Sequence, residues 1–337
     1  MQSRFRVIGA GVWGLAFSEY LLKSGHTVEI FRRNVSLESE NIKKIGLSNI
    51  TPNHIKPLDS LNDYQHDNEI NIIAVNSKGF SDLLDDYESY FSRLTSLISL
   101  TKGIDHQSGK FFSDLVFDKF INIQKYGLIS GPSFAKDLCD ERTIAVSFAS
   151  LDDDLSQSMS DEINGAYFKI IPTKYIYHIE IAGIIKNIAA IICGMADECF
   201  KKGVHTNKII KKACDETWHQ ALEMWEPLHA DEYKNIAINL TRDKEEIISS
   251  PGYIGDMILT CKQNQSRNYK FGQLISNPKT SVIDAKNSIG TVEGYDCCQT
   301  LVEKSKYMPK GLTELLYDIL KSKSLERAKL LKEFLQI

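Results

Sequence analysis

The hexapeptide Gly9-Ala10-Gly11-Val12-Trp13-Gly14 follows directly on an apolar run, Phe5-Arg6-Val7-Ile8, and opens onto a helical pattern, Leu15–Ser24. A G-x-G-x-x-G set between a strand and a helix predicts a tight turn at the first glycine. It also predicts close approach of a pyrophosphate at the second, and close helix–strand packing at the third. The N-terminus of the helix that follows attracts phosphate, because its first N–H groups have no partner within the helix. Gly9, Gly11, Val12, Trp13 and Gly14 are therefore candidate dinucleotide contacts, the alternative being a glycine turn used only for packing. A second strand ends in Phe31-Arg32-Arg33-Asn34. A site selective for NAD usually carries an acid there for the ribose hydroxyls. Arg32 and Arg33 instead suit a 2′-phosphate, which a guanidinium can pair bidentately. The expectation is NAD(P)H, with NADPH favoured or both forms used, against the alternative of a solvated basic turn.

The rest of the first half keeps the same rhythm. Candidate strands at Ile70–Val75, Leu97–Leu100, Gly127–Ser130, Thr143–Phe148 and Tyr167–Ile171 alternate with helical patterns such as Gly79–Phe91. Continuously apolar strands suit a parallel sheet covered on both faces, so this half reads as a doubly wound α/β domain. From Ile179 the pattern is helix after helix, broken at Ser249–Gly252 and Asn277–Thr280, with an amphipathic tail over Ser324–Ile337. A chain of 337 residues accommodates two domains. The expected division is 1–175, a Rossmann-type dinucleotide domain, and 176–337, an all-α domain carrying the substrate and catalytic groups.

Composition removes several classes. The formal charge of −4, from 40 Lys+Arg against 44 Asp+Glu, argues against nucleic-acid binding by bulk charge. No run of 18 uninterrupted apolar residues suggests a membrane span, and the early first strand leaves no room for a signal peptide. Seven scattered cysteines without metal spacing fit a reducing cytoplasm. The eight histidines form no ligand cluster, so no metal is expected. Trp218, Met224 and Trp225 suit a helix core or a dimer contact, and a homodimer stays open.

The segment Ile181–Ala196 holds 14 apolar or glycine residues in 16, interrupted only by Lys186 and Asn187. A helix apolar all round belongs inside a domain, where a lysine needs a partner. Burial makes a lysine a usable proton acceptor near neutral pH. The structural alternatives are a side chain reaching water along its stem, or pairing with Glu180. Three other segments carry polar groups suited to a crevice. Lys102 ends one strand, and Ser130-Gly131-Pro132-Ser133 follows another. In Gly255–Cys261 and Asn264–Asn268, Asp256 and Thr260 share a helix face while Ser266, Arg267 and Asn268 gather phosphate donors.

Taken in order, these motifs resemble the bacterial-type NAD(P)-dependent glycerol-3-phosphate dehydrogenase family. The matching pieces are GAGVWG at 9–14, TKGI at 101–104, SGPSFAKDL at 130–138, IKNIAAIICGMAD at 185–197, GDMILTC at 255–261, NQSRNYKFG at 264–272, VEGY at 292–295 and MP at 308–309. The resemblance implies a Rossmann-type domain and a helical domain like that of 6-phosphogluconate dehydrogenase, with the active site between them. It implies interconversion of sn-glycerol 3-phosphate and dihydroxyacetone phosphate by hydride transfer at C2, feeding glycerophospholipid synthesis. Lys186 would exchange the proton at the C2 oxygen beside Asp256, with Lys102 and Asn187 on substrate oxygens and Arg267 and Asn268 on the phosphate. Gly131 and Ser133 would line the substrate pocket. Val12, Trp13, Arg32, Lys102, Ala135, Arg267, Thr291 and Glu293 would touch the cofactor.

The sequence departs from the family pattern in two places. Val75-Asn76-Ser77 lacks the family's proline, and Asp197–Asn207 has lost glycines and is followed by no T-R-G. Two other readings therefore stay open: the same chemistry on a related phosphorylated polyol or hydroxy acid, and a weakened NAD(P)H-binding sensor.

Overall fold

The first strand, β1 (Arg4–Ile8), is buried over four of its five residues, on both faces, as a strand at the centre of a two-sided sheet must be. The computed structural model describes residues 2–33, 46–64, 69–228, 234–262, 266–306 and 311–336, without the side chains of 225–228 and 234–241. Asn34, Asn264, Gln265, Met308 and Pro309 lie outside the described residues, as does the Trp225 side chain. The described chain divides into two compact units. One comprises Met1–Asp105 and Phe111–Ile176, the other His106–Lys110 and Tyr177–Ile337.

In the first unit β1 leads through α1 (Val12–Lys23) to β2 (Thr27–Arg32), β3 (Ile55–Pro57) and β4 (Ile70–Ile73). There follow α2 (Phe80–Asp86), α3 (Glu88–Phe91), β5 (Ser96–Ser99), α4 (Phe112–Lys119), β6 (Lys125–Ser130), α5 (Ala135–Cys139), β7 (Ile144–Ser150), α6 (Asp153–Ile163) and β8 (Phe168–Thr173). The eight strands form one sheet in the order β3-β2-β1-β4-β5-β6-β7-β8. The order reverses between β1 and β4, and the crevice at that point is where doubly wound sheets bind nucleotides.

Two local readings need correction, and one strand was not read at all. The sheet is not parallel throughout: β7 runs antiparallel to β6, then pairs in parallel with β8. Strand direction leaves no trace in local hydropathy, so an apolar run reads the same either way. The helix expected over Gly79–Phe91 breaks at Tyr87 into α2 and α3. The strand β3, only Ile-Lys-Pro, was too short to register as an apolar run.

The second unit is helical: α7 (Ile176–Cys199), α8 (Thr206–Leu228), α9 (Lys234–Ser249), a π-turn at Pro251–Gly255, α10 (Asp256–Lys262), α11 (Arg267–Ser276), α12 (Val282–Ile289), α13 (Glu293–Glu303), α14 (Leu312–Lys321) and α15 (Arg327–Leu335). The centre is α7. Among the described residues it is the one helix long and apolar enough to cross a bilayer, and its apolar window is 94% buried within the protein. It is a core helix, and three glycines let its neighbours approach. A Cβ on Gly194 would overlap the carbonyl of Tyr269, one on Gly272 that of Ile191, and one on Gly294 would lie 2.7 Å from the carbonyl oxygen of Asn187. Helices α11 and α13 thus cross α7 almost backbone to backbone.

Candidate active site

In the first unit the three glycines of the turn differ in what demands them. Gly9 has φ +112°, and a Cβ there would lie 2.6 Å from the Ala74 carbonyl oxygen, so glycine is required by backbone and packing alike. At Gly14 a Cβ would lie 2.8 Å from the Gly9 carbonyl, which fixes the close seat of α1 on the turn. Gly11 is different. Its φ is −67°, open to any residue, and the nearest atom to a Cβ is Ala74 O at 3.9 Å. Neither conformation nor protein packing asks for glycine at 11, which leaves close approach of something else. Gly11 is also the N-cap of α1, without a side-chain cap and with no acid in the first turn, so the helix presents open N–H groups to an anion.

Gly9 and Gly11 open onto a cavity of about 440 Å³ whose wall includes Arg32, Arg33, Leu58 and Asn76. Arg32 Nη1 is buried with no hydrogen-bond partner, and burial lowers the guanidinium pKa from its ordinary value. A buried donor left unmatched by protein costs about 1–3 kcal/mol unless a ligand completes it. Arg33 is exposed. Asn76 stands where the family has proline, at φ −73°, inside the range a proline would impose, and its Oδ1 accepts from Gly79 N at 2.9 Å. The side-chain cap holds the turn that the ring would have held. These features fit a dinucleotide.

At the ends of β5 and β6, Lys102 Nζ donates to the Gly131 carbonyl at 3.2 Å and Ser133 Oγ to the same oxygen at 3.1 Å. Lys102, Gly131 and Ser133, read from separate motifs, therefore meet. Trp13 and Ala135 are half-buried against the sheet core, while Val12 is exposed at the start of α1.

In the second unit Lys186 Nζ lies 2.7 Å from Asp256 Oδ2, both residues buried. Of the options the sequence left open, this pairing replaces both the snorkelling lysine and the Glu180 pair. Asp256 opens α10 directly after the π-turn, and the Tyr253 hydroxyl anchors that turn by donating to the Cys214 carbonyl in α8 at 2.6 Å. Thr260 Oγ1 donates back to the Asp256 carbonyl at 2.7 Å, so these two residues share a face as expected.

Asn187, one residue on, points to other neighbours. Its Oδ1 accepts from Asn268 Nδ2 at 2.9 Å, and its Nδ2 lies 3.4 Å from both Glu293 Oε2 and the Gly183 carbonyl. Asn268 Oδ1 accepts from Gly294 N at 2.9 Å. Ser266 caps α11, accepting from Tyr269 N at 3.4 Å. Arg267, next to it, is exposed, as is Thr291 just before α13. Asn268 is only 7% exposed and committed to neighbouring helices, a surrounding unlike that of Arg267.

Residues 5–156 match the N-terminal, and residues 176–329 the C-terminal, sequence profile of NAD-dependent glycerol-3-phosphate dehydrogenase. The chain belongs to this family. It is similar to the glycerol-3-phosphate dehydrogenase [NAD(P)+] of Francisella tularensis subsp. novicida, 27% identical over 91% of this chain and 89% of that one. The fold is that of the Coxiella burnetii glycerol-3-phosphate dehydrogenase, with TM-score 0.81 and 22% identity, covering 98% of this chain and 99% of the other. The Saccharomyces cerevisiae enzyme GPD1 superposes with TM-score 0.72 at 15% identity, each chain covered in full. The protein is accordingly an NAD(P)-dependent oxidoreductase by family, with a Rossmann-type first unit and a helical second one.

The motifs missed the glycines at 194, 272 and 294 as packing elements. A signal existed for the first: a glycine inside an apolar helix costs about 1 kcal/mol against alanine and calls for a reason.

Proposed function

We propose that the protein interconverts sn-glycerol 3-phosphate and dihydroxyacetone phosphate, using NADPH or both nicotinamide cofactors, in the cytoplasm and in support of glycerophospholipid synthesis. The observation that carries this reading is the buried Lys186–Asp256 pair beside Asn187. A pure nucleotide sensor has no use for a lysine in the core of its second unit.

The bound nicotinamide supplies the hydride acceptor or donor. On the turn that Gly9 and Gly14 shape, Gly11 and the open N-terminus of α1 would hold its pyrophosphate, and Arg32 with Arg33 would read the adenosine 2′-phosphate. Lys186 gives a proton to the C2 oxygen of the ketone as negative charge grows there, and takes it back from the alcohol in the reverse direction. Asp256 holds the ammonium in place by a charge-assisted bond. Arg267, exposed at the first turn of α11, takes the substrate phosphate, aided by the helix N-terminus. That grip lies away from the reacting carbon and so contributes orientation. Lys102 takes a substrate oxygen and also touches the cofactor, as do Ala135, Thr291 and Glu293, while Gly131 and Ser133 line the substrate pocket.

The test is loss of reduced-nicotinamide absorbance with dihydroxyacetone phosphate, run with NADH and NADPH in parallel. We expect turnover with both or with NADPH alone; no turnover with either would refute the substrate assignment. In Arg32→Gln/Arg33→Gln the KM for NADPH should rise more than that for NADH. Equal effects would show that the arginines do not read the 2′-phosphate.

A further inference from the structure

We propose that Asn268 is a positioning residue: it fixes which end of the Asn187 amide faces the substrate. The inference rests on Asn187 being a substrate-binding group, as set out above.

The two ends of an asparagine amide have nearly the same shape and opposite hydrogen-bonding sense, so their orientation is decided by partners. Here the partners form a chain with one fixed end. The Gly294 backbone N–H can only donate, so the end of Asn268 at 2.9 Å from it is Oδ1. Nδ2 of Asn268 is then the other end, and it lies 2.9 Å from Asn187. The Asn187 atom that receives it must be Oδ1, which leaves the Asn187 NH2 on the far side. There its contacts, Glu293 Oε2 and the Gly183 carbonyl, are both at 3.4 Å, near the limit of a useful bond. Both hydrogens of the NH2 group rest on these long contacts, so a substrate oxygen at ordinary bonding distance can draw one of them away.

The fixed end is itself held. A Cβ on Gly294 would lie 2.7 Å from the Asn187 carbonyl oxygen, so α13 cannot move closer to α7, and both amides are shielded from water, Asn187 at 6% and Asn268 at 7% exposure. Without competing water, a reversed amide would set oxygen against oxygen and strand the Gly294 N–H. One backbone donor thereby sets the polarity of two side chains, and Asn187 is held as a donor. A ketone oxygen accepts and cannot donate, so a reversed Asn187 would present it with a carbonyl instead.

The test separates this role from direct phosphate binding by Asn268. In Asn268→Ala, kcat with dihydroxyacetone phosphate should fall at least tenfold. The Ki of inorganic phosphate, as competitive inhibitor against that substrate, should change less than twofold. In the double variant Asn187→Ala/Asn268→Ala, kcat should fall no further than in Asn187→Ala alone, since the effect passes through Asn187. Asn268→Ser serves the same measurements if the alanine variant does not fold. An unchanged kcat with a raised phosphate Ki, or losses in the double variant that multiply, would overturn the proposal while leaving the proposed reaction intact. A wild-type chain inert toward dihydroxyacetone phosphate would remove the functional reading, and this inference with it.

Discussion

Gly272 of α11 meets Ile191 of α7 so closely that a Cβ would overlap the Ile191 carbonyl oxygen. This crossing holds α11 where Asn268 can bond Asn187, and the Tyr269 hydroxyl secures it by donating to Asp197 Oδ2 at 2.5 Å. On propensity alone Gly272→Ala should stabilise the helix by about 1 kcal/mol. Overpacking against backbone works in the other direction and costs typically about 1–3 kcal/mol. Because the obstruction is main chain and cannot turn aside, we expect the overpacking to win. Urea denaturation should show a lower midpoint in the variant; a raised midpoint would mean that the helices are not in this contact.

The fold was legible wherever local pattern and tertiary burial agree. The run Phe5–Ile8, the glycine turn and the all-apolar Ile181–Ala196 each stated their surroundings. Lys186 stood out because a lysine contradicts such a helix. Its partner was named only by the family resemblance. Asp256 lies 70 residues away and Asn268 lies 81 from Asn187, and no local pattern encodes which helix faces which. The direction of β7 escaped for the same reason, since pairing belongs to the sheet and not to the segment, and β3 escaped because three residues make no apolar run. The missing proline at 76 looked like a loss. It is a replacement, because Asn76 keeps the backbone angle and adds a cap.

Gly9 and Gly11 should separate stability from binding. Gly9→Ala forces a side chain into the Ala74 carbonyl at a positive φ, so thermal unfolding should occur at a clearly lower temperature. Gly11→Ala meets nothing within the protein closer than 3.9 Å, and its melting temperature should stay near that of the wild type. Its Kd for NADPH, by fluorescence titration, should nevertheless rise tenfold or more, about 1.4 kcal/mol. Unchanged affinity in Gly11→Ala would mean that the pyrophosphate does not pass over this turn.

Lys186 and Asp256 should behave as a unit. Lys186→Met removes the proton donor and leaves the Asp256 carboxylate buried without its ammonium. We expect kcat to fall by about 10²–10⁴ with NADPH affinity nearly intact, and stability to fall by about 3–5 kcal/mol. Adding Asp256→Leu should restore much of the stability and none of the turnover, because an apolar pair does not carry the desolvation cost of a lone charge. A Lys186→Met enzyme that stays fully active would end the assignment of the proton to this lysine.

Glu216 gives the second unit a pH dependence of its own. From α8 it receives the Leu312 N–H at 2.6 Å and the Thr313 N–H at 3.2 Å, capping α14 just after Gly311 turns the chain at φ +90°. Burial dominates and pushes the carboxyl up to about 7 from its usual 4.5, with the bonds from Thr313 and Leu312 pulling the other way. The raised pKa fixes the sign. Between about 4.5 and about 7 the folded state holds a proton that the unfolded chain has released. Stability from this group is therefore full below 4.5 and is lost as pH rises to 7, at no more than about 1.4 kcal/mol per pH unit. Glu216→Gln cannot titrate and lacks this slope. In denaturant melts the stability of wild type relative to Glu216→Gln should fall from pH 5 and level off above about pH 7. Parallel pH profiles for the two proteins would show that Glu216 titrates with its ordinary pKa and that α14 is capped by a carboxylate at no such cost.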